Sequence, residues 1–266
     1  MDALRHFGHR SDVSINRCSR DRINVIVGHT VFLQPEHYAA FQFFGAPYVV
    51  VQVEALAETV GFASQNPAYI EFLTGARQIW DYSPTNLPVL VQWGCREAHY
   101  VPVGYVSSLE RVAQGVDKDI DILFYGASSP RREQVLTTLC SLGVRVSVLF
   151  GVYGAARDRA IARAKIVLNI HQFETPHLEE LRLAYLLNNR SFVISEVSDR
   201  DPYDGGVVFC EYNELVDCCI SFLHPEAATE RDRIAAKGYE ALRRISTVES
   251  IGAALTKLGI GDAFEE

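Results

Sequence analysis

The stretch Asp119-Ile-Asp-Ile-Leu-Phe-Tyr-Gly-Ala-Ser-Ser-Pro-Arg-Arg132 decides the fold. A largely apolar run, 120–125, passes through Gly-Ala-Ser-Ser straight into a proline and two arginines. The run reads as a strand buried between two layers, and the residues after the Gly-Ala-Ser-Ser turn read as a helix start. Ser129 suits the N-cap, Pro130 the first helical position and Gly143 the end. Val135, Leu139 and Leu142 fall at helical spacing between them. Backbone donors at a helix N-terminus beside arginines make a place to hold a phosphate. The alternative is an ordinary strand-to-helix turn with surface arginines.

The same alternation runs outward in both directions. Downstream, strands are expected at 144–150, 166–171, 191–195 and 207–210, with helices at 155–164 and 178–188 between them. Upstream, strands are expected at 23–28, 48–53, 78–82 and 99–105, with helices at 35–44, 66–76 and 84–93. Apolar, β-branched runs separated by helices mean parallel sheets covered on both faces. The Gly-, Asp- and Lys-bearing loop 114–119 is the expected boundary between two α/β halves. This divides the chain into a flexible lead-in (1–22), a first domain (23–114), a second domain (115–245) and a C-terminal helix and tail (246–266). In that tail Ser246-Thr-Val-Glu249 is a capping box, and Ile251, Ala254, Leu255 and Leu258 form one apolar face.

Composition narrows the function classes. At 266 residues, 48% hydrophobic and 22% charged, the chain has ample material for a core. A net charge of −8 argues against a nucleic-acid partner. The six cysteines form no C-x-x-C, so zinc and dithiol chemistry are unsupported and buried free thiols in a reducing compartment are expected. With no apolar run long enough to span a bilayer and no apolar segment near the start, the expected location is the cytoplasm.

Three strand ends of the second half lead into loops that carry chemistry. Gly126 lets the backbone approach a ligand, Ser128 adds a hydroxyl, and Arg131 or Arg132 would neutralise a diphosphate. Phe150-Gly-Val-Tyr-Gly154 sets Phe150 and Tyr153 around Gly151, which suits a planar base lying on the loop. The alternative is a turn with both rings in the core. Beyond His171, Glu179 and Arg182 share one helix face. The carboxylate there suits ribose hydroxyls and the arginine a phosphate. The alternatives are a surface ion pair and a satisfied core histidine. In the first half, His29 and Glu54 each follow a strand and are candidates for proton transfer or for capping. Asp119-Ile-Asp121 begins its strand, which is the wrong end for a metal-bound ligand.

Taken together, these stretches resemble bacterial glycosyltransferase-like proteins of the GT-B fold, related to glycosyl transferases group 1. The similarity lies in Asp121-Ile-Leu-Phe-Tyr-Gly126, Arg131-Arg132, Phe150-Gly-Val-Tyr-Gly154, Arg157-Asp158, Ala164-Lys-Ile-Val-Leu-Asn-Ile-His171, Tyr185-Leu-Leu-Asn-Asn-Arg190 and Val193-Ile-Ser-Glu196. Trp80-Asp-Tyr-Ser83 and Val101-Pro-Val-Gly-Tyr105 fit in the first half. The resemblance implies an α/β chain of two Rossmann-like parallel-sheet domains facing across a cleft, the N-terminal one reduced. It implies a nucleotide-diphosphate-sugar donor of UDP or GDP type, with no tightly bound cofactor and no metal. Gly126 and Arg131 would face the diphosphate, and Phe150 and Tyr153 the base. His171, Glu179 and Arg182 would lie near the ribose or sugar phosphate. Tyr185 stands where many GT-B enzymes carry a ribose-binding Glu, and no E-x7-E pair is present. The implied function is transfer of a sugar to an acceptor that the sequence does not name. The short first half leaves the acceptor side reduced or supplied by a partner protein. The alternative is a non-catalytic nucleotide or nucleotide-sugar binding module. A dinucleotide enzyme is poorly supported, because no G-x-G-x-x-G follows the first strand.

Overall fold

The computed structural model describes residues 2–28, 35–56, 66–174 and 176–259. It is α/β throughout and divides into two units. One runs to Val103 and resumes at Ser246; the other is Gly104–Ile245.

The first unit contains α1 (Asp2–His6), β1 (Asn24–Val27), α2 (Pro35–Phe44), β2 (Tyr48–Gln52), α3 (Pro67–Thr74), β3 (Gln78–Asp81), α4 (Leu87–Gln92) and β4 (Ala98–Tyr100). Its four strands pair in parallel in the order β1-β2-β3-β4. The alternation along β2 and β3 explains why both faces are covered. Val50 and Ile79 pack with Phe41, Tyr69, Phe72 and Leu90 on one side. Val49 and Trp80 face the other way, onto α10 (Thr247–Lys257), through Ala254 and Leu255. Gln78 Nε2 donates to Ala254 O at 2.9 Å across 176 residues of chain. The expected lead-in is partly ordered: Leu4 and Phe7 join this second cluster, and Phe7 lies against Gly252 of α10. β4 stops at Tyr100, short of the expected 105, where its partner β3 ends at Asp81.

The second unit contains β5 (Ile120–Tyr125), α5 (Pro130–Ser141), β6 (Val146–Leu149), α6 (Gly154–Arg163), β7 (Ala164–Asn169), α7 (Glu180–Asn188), β8 (Val193–Glu196), β9 (Val208–Cys210), α8 (Leu215–Leu223) and α9 (Ala228–Arg243). All five strands are parallel, in the order β6-β5-β7-β8-β9. Ile122, Leu123 and Phe124 are all buried, as are Ile166, Val167 and Leu168, so the continuous apolar runs mark strands packed on both sides. Ser129 caps α5 by accepting from Arg132 N at 3.4 Å, with Pro130 at the first position. The loop 114–119 lies inside this unit. Asn189 Oδ1 accepts from Arg111 N at 2.8 Å and Val112 N at 2.9 Å, and Gln114 Nε2 donates to Asn189 O at 3.0 Å. Those long-range bonds draw the unit's first segment onto the end of α7, well before the polar loop that marked the boundary in sequence.

Candidate functional site

In an open parallel sheet, ligands bind beyond the carboxyl ends of the strands, at the point where the winding reverses. In the second unit that point lies between β5 and β7. The residues at those two ends are Tyr125-Gly126 and Asn169.

Gly126 has φ +142°, and a Cβ built there would sit 2.9 Å from Arg182 Nη2. A side chain at this position would therefore strain the backbone and push the guanidinium away. Arg182, in the first turn of α7, is half-buried and donates through Nη1 to Asn169 Oδ1 at 3.0 Å. Its guanidinium lies 5.0 Å from the Tyr125 ring centroid. Among the described residues it forms no ion pair, so its charge is oriented by a neutral amide and an aromatic face. Arg157 of α6 stacks on the other rings, 4.4 Å from the Tyr185 centroid and 5.7 Å from that of Tyr125. Asp158 Oδ1 accepts from Arg157 Nη2 at 3.1 Å and from the Tyr185 hydroxyl at 2.7 Å. Tyr185, read as a substitute for a ribose-binding carboxylate, thus reaches a carboxylate of the neighbouring helix.

A second set of contacts braces the strand ends. Arg131 is a bidentate partner of Glu196, with Nη2 to Oε1 at 2.6 Å and Nη1 to Oε2 at 3.1 Å. It also donates to His171 O at 3.2 Å and stacks 4.2 Å from the Tyr212 ring centroid. Arg132 is buried and donates to Ile170 O at 2.9 and 2.7 Å, to Ala127 O at 2.9 Å and to Gln172 Oε1 at 2.6 Å. Burial, with help from the neighbouring Arg182, lowers its pKa to about 10. Both arginines of the opening motif are therefore committed to protein partners, and Arg182 is the guanidinium beside Gly126. Ser128 is held by the Glu133 carboxylate.

His171 is buried, with Nδ1 2.9 Å from Glu179 Oε2 and Nε2 2.9 Å from Val197 O. Both nitrogens face acceptors, which the imidazolium satisfies. Burial opposes that charge, but the Glu179 carboxylate, the Val197 carbonyl and Glu196 outweigh it and raise the pKa. Burial likewise favours a neutral Glu179, but His171, Asn169 and Arg182 hold its pKa low. Glu179 and Arg182 do not pair with each other as an i,i+3 bridge; they meet through Asn169, whose Nδ2 donates to Glu179 Oε2 at 2.9 Å.

This pair makes a pH prediction. The raised His171 pKa contributes stability that is fully present below about 6.5 and lost as pH rises through the folded value. The lowered Glu179 pKa contributes stability present above about 4.3 and lost as pH falls through its folded value. Unfolding free energy from denaturant titrations is expected to decline above neutrality, and His171→Gln to remove most of that alkaline decline. An unchanged slope in the variant would rule out the imidazolium.

Phe150 and Tyr153 are not core residues: they are 75% and 78% exposed, flanking Gly151 in a left-handed turn at φ +68°. Glu54 follows β2 in the first unit, and burial raises its carboxyl pKa. Its carbonyl accepts from Asn86 Nδ2 at 3.0 Å, and Asn86 also bridges the buried Asp81 carboxylate at 3.1 Å. His29 lies outside the described residues. Asp119 and Asp121 stand at the start of β5 and are paired with Arg163, Arg145 and Lys165. Among the described residues, no group of three or more His, Cys, Asp or Glu side chains is placed to hold a metal ion. Tyr125, Asn169 and Glu196, which sequence reading passed over as site residues, each end a strand. That position was the signal that could have found them.

No protein-family model matches the chain. Three uncharacterized proteins of Acanthamoeba polyphaga mimivirus are similar in sequence. L140 is 30% identical over 166 residues, covering 58% of this chain and 52% of that protein. L138 is 29% identical over 136 residues, covering 47% of this chain and 15% of that protein. The chain therefore spans about half of the first relative and a small part of the second. Among solved structures, HepE of Anabaena in complex with UDP superposes with a TM-score of 0.61 at 12% identity, over 89% of this chain and 78% of that one. The trehalose-6-phosphate protein from E. coli bound with UDP-2-fluoro glucose gives 0.62 at 9% identity, over 90% and 73%. An α1,3-fucosyltransferase gives 0.55 at 11% identity, over 93% and 80%. Identities this low speak to architecture alone: with its two parallel α/β sheets, this chain has the GT-B glycosyltransferase fold.

Proposed function

We propose that the protein is a glycosyltransferase whose second unit binds a nucleotide-diphosphate sugar at the carboxyl edge between β5 and β7. The observation that carries this reading is Arg182: an oriented guanidinium with no ion pair among the described residues, beside a glycine whose missing side chain leaves room. In this reading the acceptor oxygen attacks the anomeric carbon while the bond from that carbon to the diphosphate oxygen breaks. Arg182 and the Gly126 loop stabilise the charge that collects on the leaving diphosphate, so the step needs no metal ion. Glu54, whose carboxyl pKa is raised by burial, and His29 are the first unit's own candidates for a proton-accepting role. Tyr153 suits the nucleobase. UDP in the HepE complex and UDP-2-fluoro glucose in the E. coli complex support a uridine donor. The cysteines are free thiols, which suits the cytoplasm.

The test is a melting screen against UDP, GDP and their sugars. UDP at about 100 times its dissociation constant is expected to add about 2.7 kcal/mol of stability. If no nucleoside diphosphate moves the melt, the donor site is wrong. Commitment of Arg131 to Glu196 removes one cation from the ligand and favours a second reading, a binding module without turnover. Stabilisation by a UDP-sugar that is neither hydrolysed nor transferred would select that reading.

A further inference from the structure

The outer edge of the second sheet is β6, with which no described strand pairs on its free side. An exposed strand edge offers unpaired N–H and C=O groups, and proteins blunt such edges with charge, proline or cover. β6 has no charged residue or proline. Around it Leu142, Val148 and Phe150 are 59%, 54% and 75% exposed.

Backbone geometry says which groups are free. Ile122 N donates to Arg145 O at 3.2 Å and Gly126 N to Leu149 O at 3.1 Å. The odd-numbered residues of the strand therefore turn their backbone groups to β5. With a period of two, Val146 and Val148 turn theirs outward, and Phe150 follows directly after the strand. Charge selects the occupant. From Gln134 to Arg157 the sequence has no acidic residue, although the chain carries 33 of them and a net charge of −8. Two copies carry like net charge, and this edge, free of acidic residues and with Arg145 already paired to Asp121, is where they can approach.

We propose that β6 pairs antiparallel with β6 of a second copy of this chain, about a two-fold axis at Val148. Outward-facing residues must oppose outward-facing residues, so Val148 meets its own counterpart and Val146 meets Phe150. Both pairs exchange main-chain hydrogen bonds. The second is a β-branched-to-aromatic cross-strand pair. Because the axis relates identical edges, the contact closes on itself and consumes the edge. Phe150 is then taken by the second copy, and Tyr153 is left for a nucleobase. The pairing rests on the sheet edge and is independent of the donor reading.

Light scattering on the full chain is expected to give twice the 29.7 kDa chain mass. Val148→Lys sets two charges against each other across the axis and is expected to give the single-chain mass with a folded circular dichroism spectrum and a melting temperature that no longer rises with protein concentration. Val27→Lys, on the exposed side chain at the edge of the first sheet, is expected to leave the mass doubled. Opposed hydrogen-bonded residues have Cα atoms about 5.5 Å apart, within the roughly 4.4–6.8 Å that a disulfide spans. Val148→Cys in a Cys140→Ser background is therefore expected to give a cross-linked dimer on a non-reducing gel under mild oxidant, where Cys140→Ser alone gives none. A monomeric wild type at every concentration measured, a dimer that survives Val148→Lys, or one broken by Val27→Lys overturns the proposal.

Discussion

Arg182→Ala is expected to weaken UDP binding by about 10- to 100-fold, the loss of roughly 1.5–3 kcal/mol that a hydrogen bond to a charged partner contributes. Orientation is the reason for so large an effect. The guanidinium is aimed by Asn169 at 3.0 Å and by the Tyr125 face, so little side-chain entropy is lost when an anion docks. Arg182→Lys keeps the charge but loses the planar fork, and should fall between the wild type and the alanine variant. Calorimetric titration with UDP separates the three. Because Asn169 is fully buried and loses a donor, the alanine variant should also melt somewhat lower. Binding is therefore compared at a temperature where both proteins are folded. Equal affinities in wild type and Arg182→Ala would remove the residue from the site and leave the donor hypothesis without its central contact.

Glu196→Ala is expected to lower the second unit's stability markedly. Its carboxylate is 8% exposed and receives two bonds from Arg131, at 2.6 and 3.1 Å, and a third from His171 N at 3.0 Å. Removing it strands a largely buried guanidinium and an amide at once. Breaking a buried pair from one side costs about 3–5 kcal/mol, and Arg131 retains some solvent contact, so the lower end applies. For a unit of this size that is a fall on the order of 10 °C in melting temperature. Replacing both partners, as in Arg131→Met with Glu196→Leu, should restore much of the loss, because neither charge is then buried alone. A calorimetric scan of the two variants makes the comparison. A Glu196→Ala melt within a degree or two of wild type would mean that the pair does not hold the strand ends.

What could be read from the sequence was local. β5 and β7 announce themselves because strands buried on both faces are largely apolar, and α5 carries its own cap and opening proline. The same logic found the three loops at the carboxyl edge. Pairings between distant elements were not legible. Arg131 and Glu196 are 65 residues apart, and nothing near Arg131 says that a carboxylate will reach it first. Arg182 looked like half of an i,i+3 bridge and instead donates to Asn169, 13 residues away at the end of β7. The start of the second unit at Gly104 was not legible for a similar reason. The polar loop 114–119 has the composition of a linker, while the bonds that bind 106–114 to Asn188 and Asn189 form only in three dimensions.

The return of α10 to the first sheet has a consequence for synthesis. Val49 and Trp80 leave the ribosome long before Ala254 and Leu255, which cover them. At roughly 5–20 residues per second, the intervening chain takes on the order of ten seconds to emerge. In that interval the second unit, contiguous in sequence, can complete its core, while the first keeps an apolar face bare. That face of the first sheet is thus completed last, when α10 joins Leu4 and Phe7 over Val49 and Trp80.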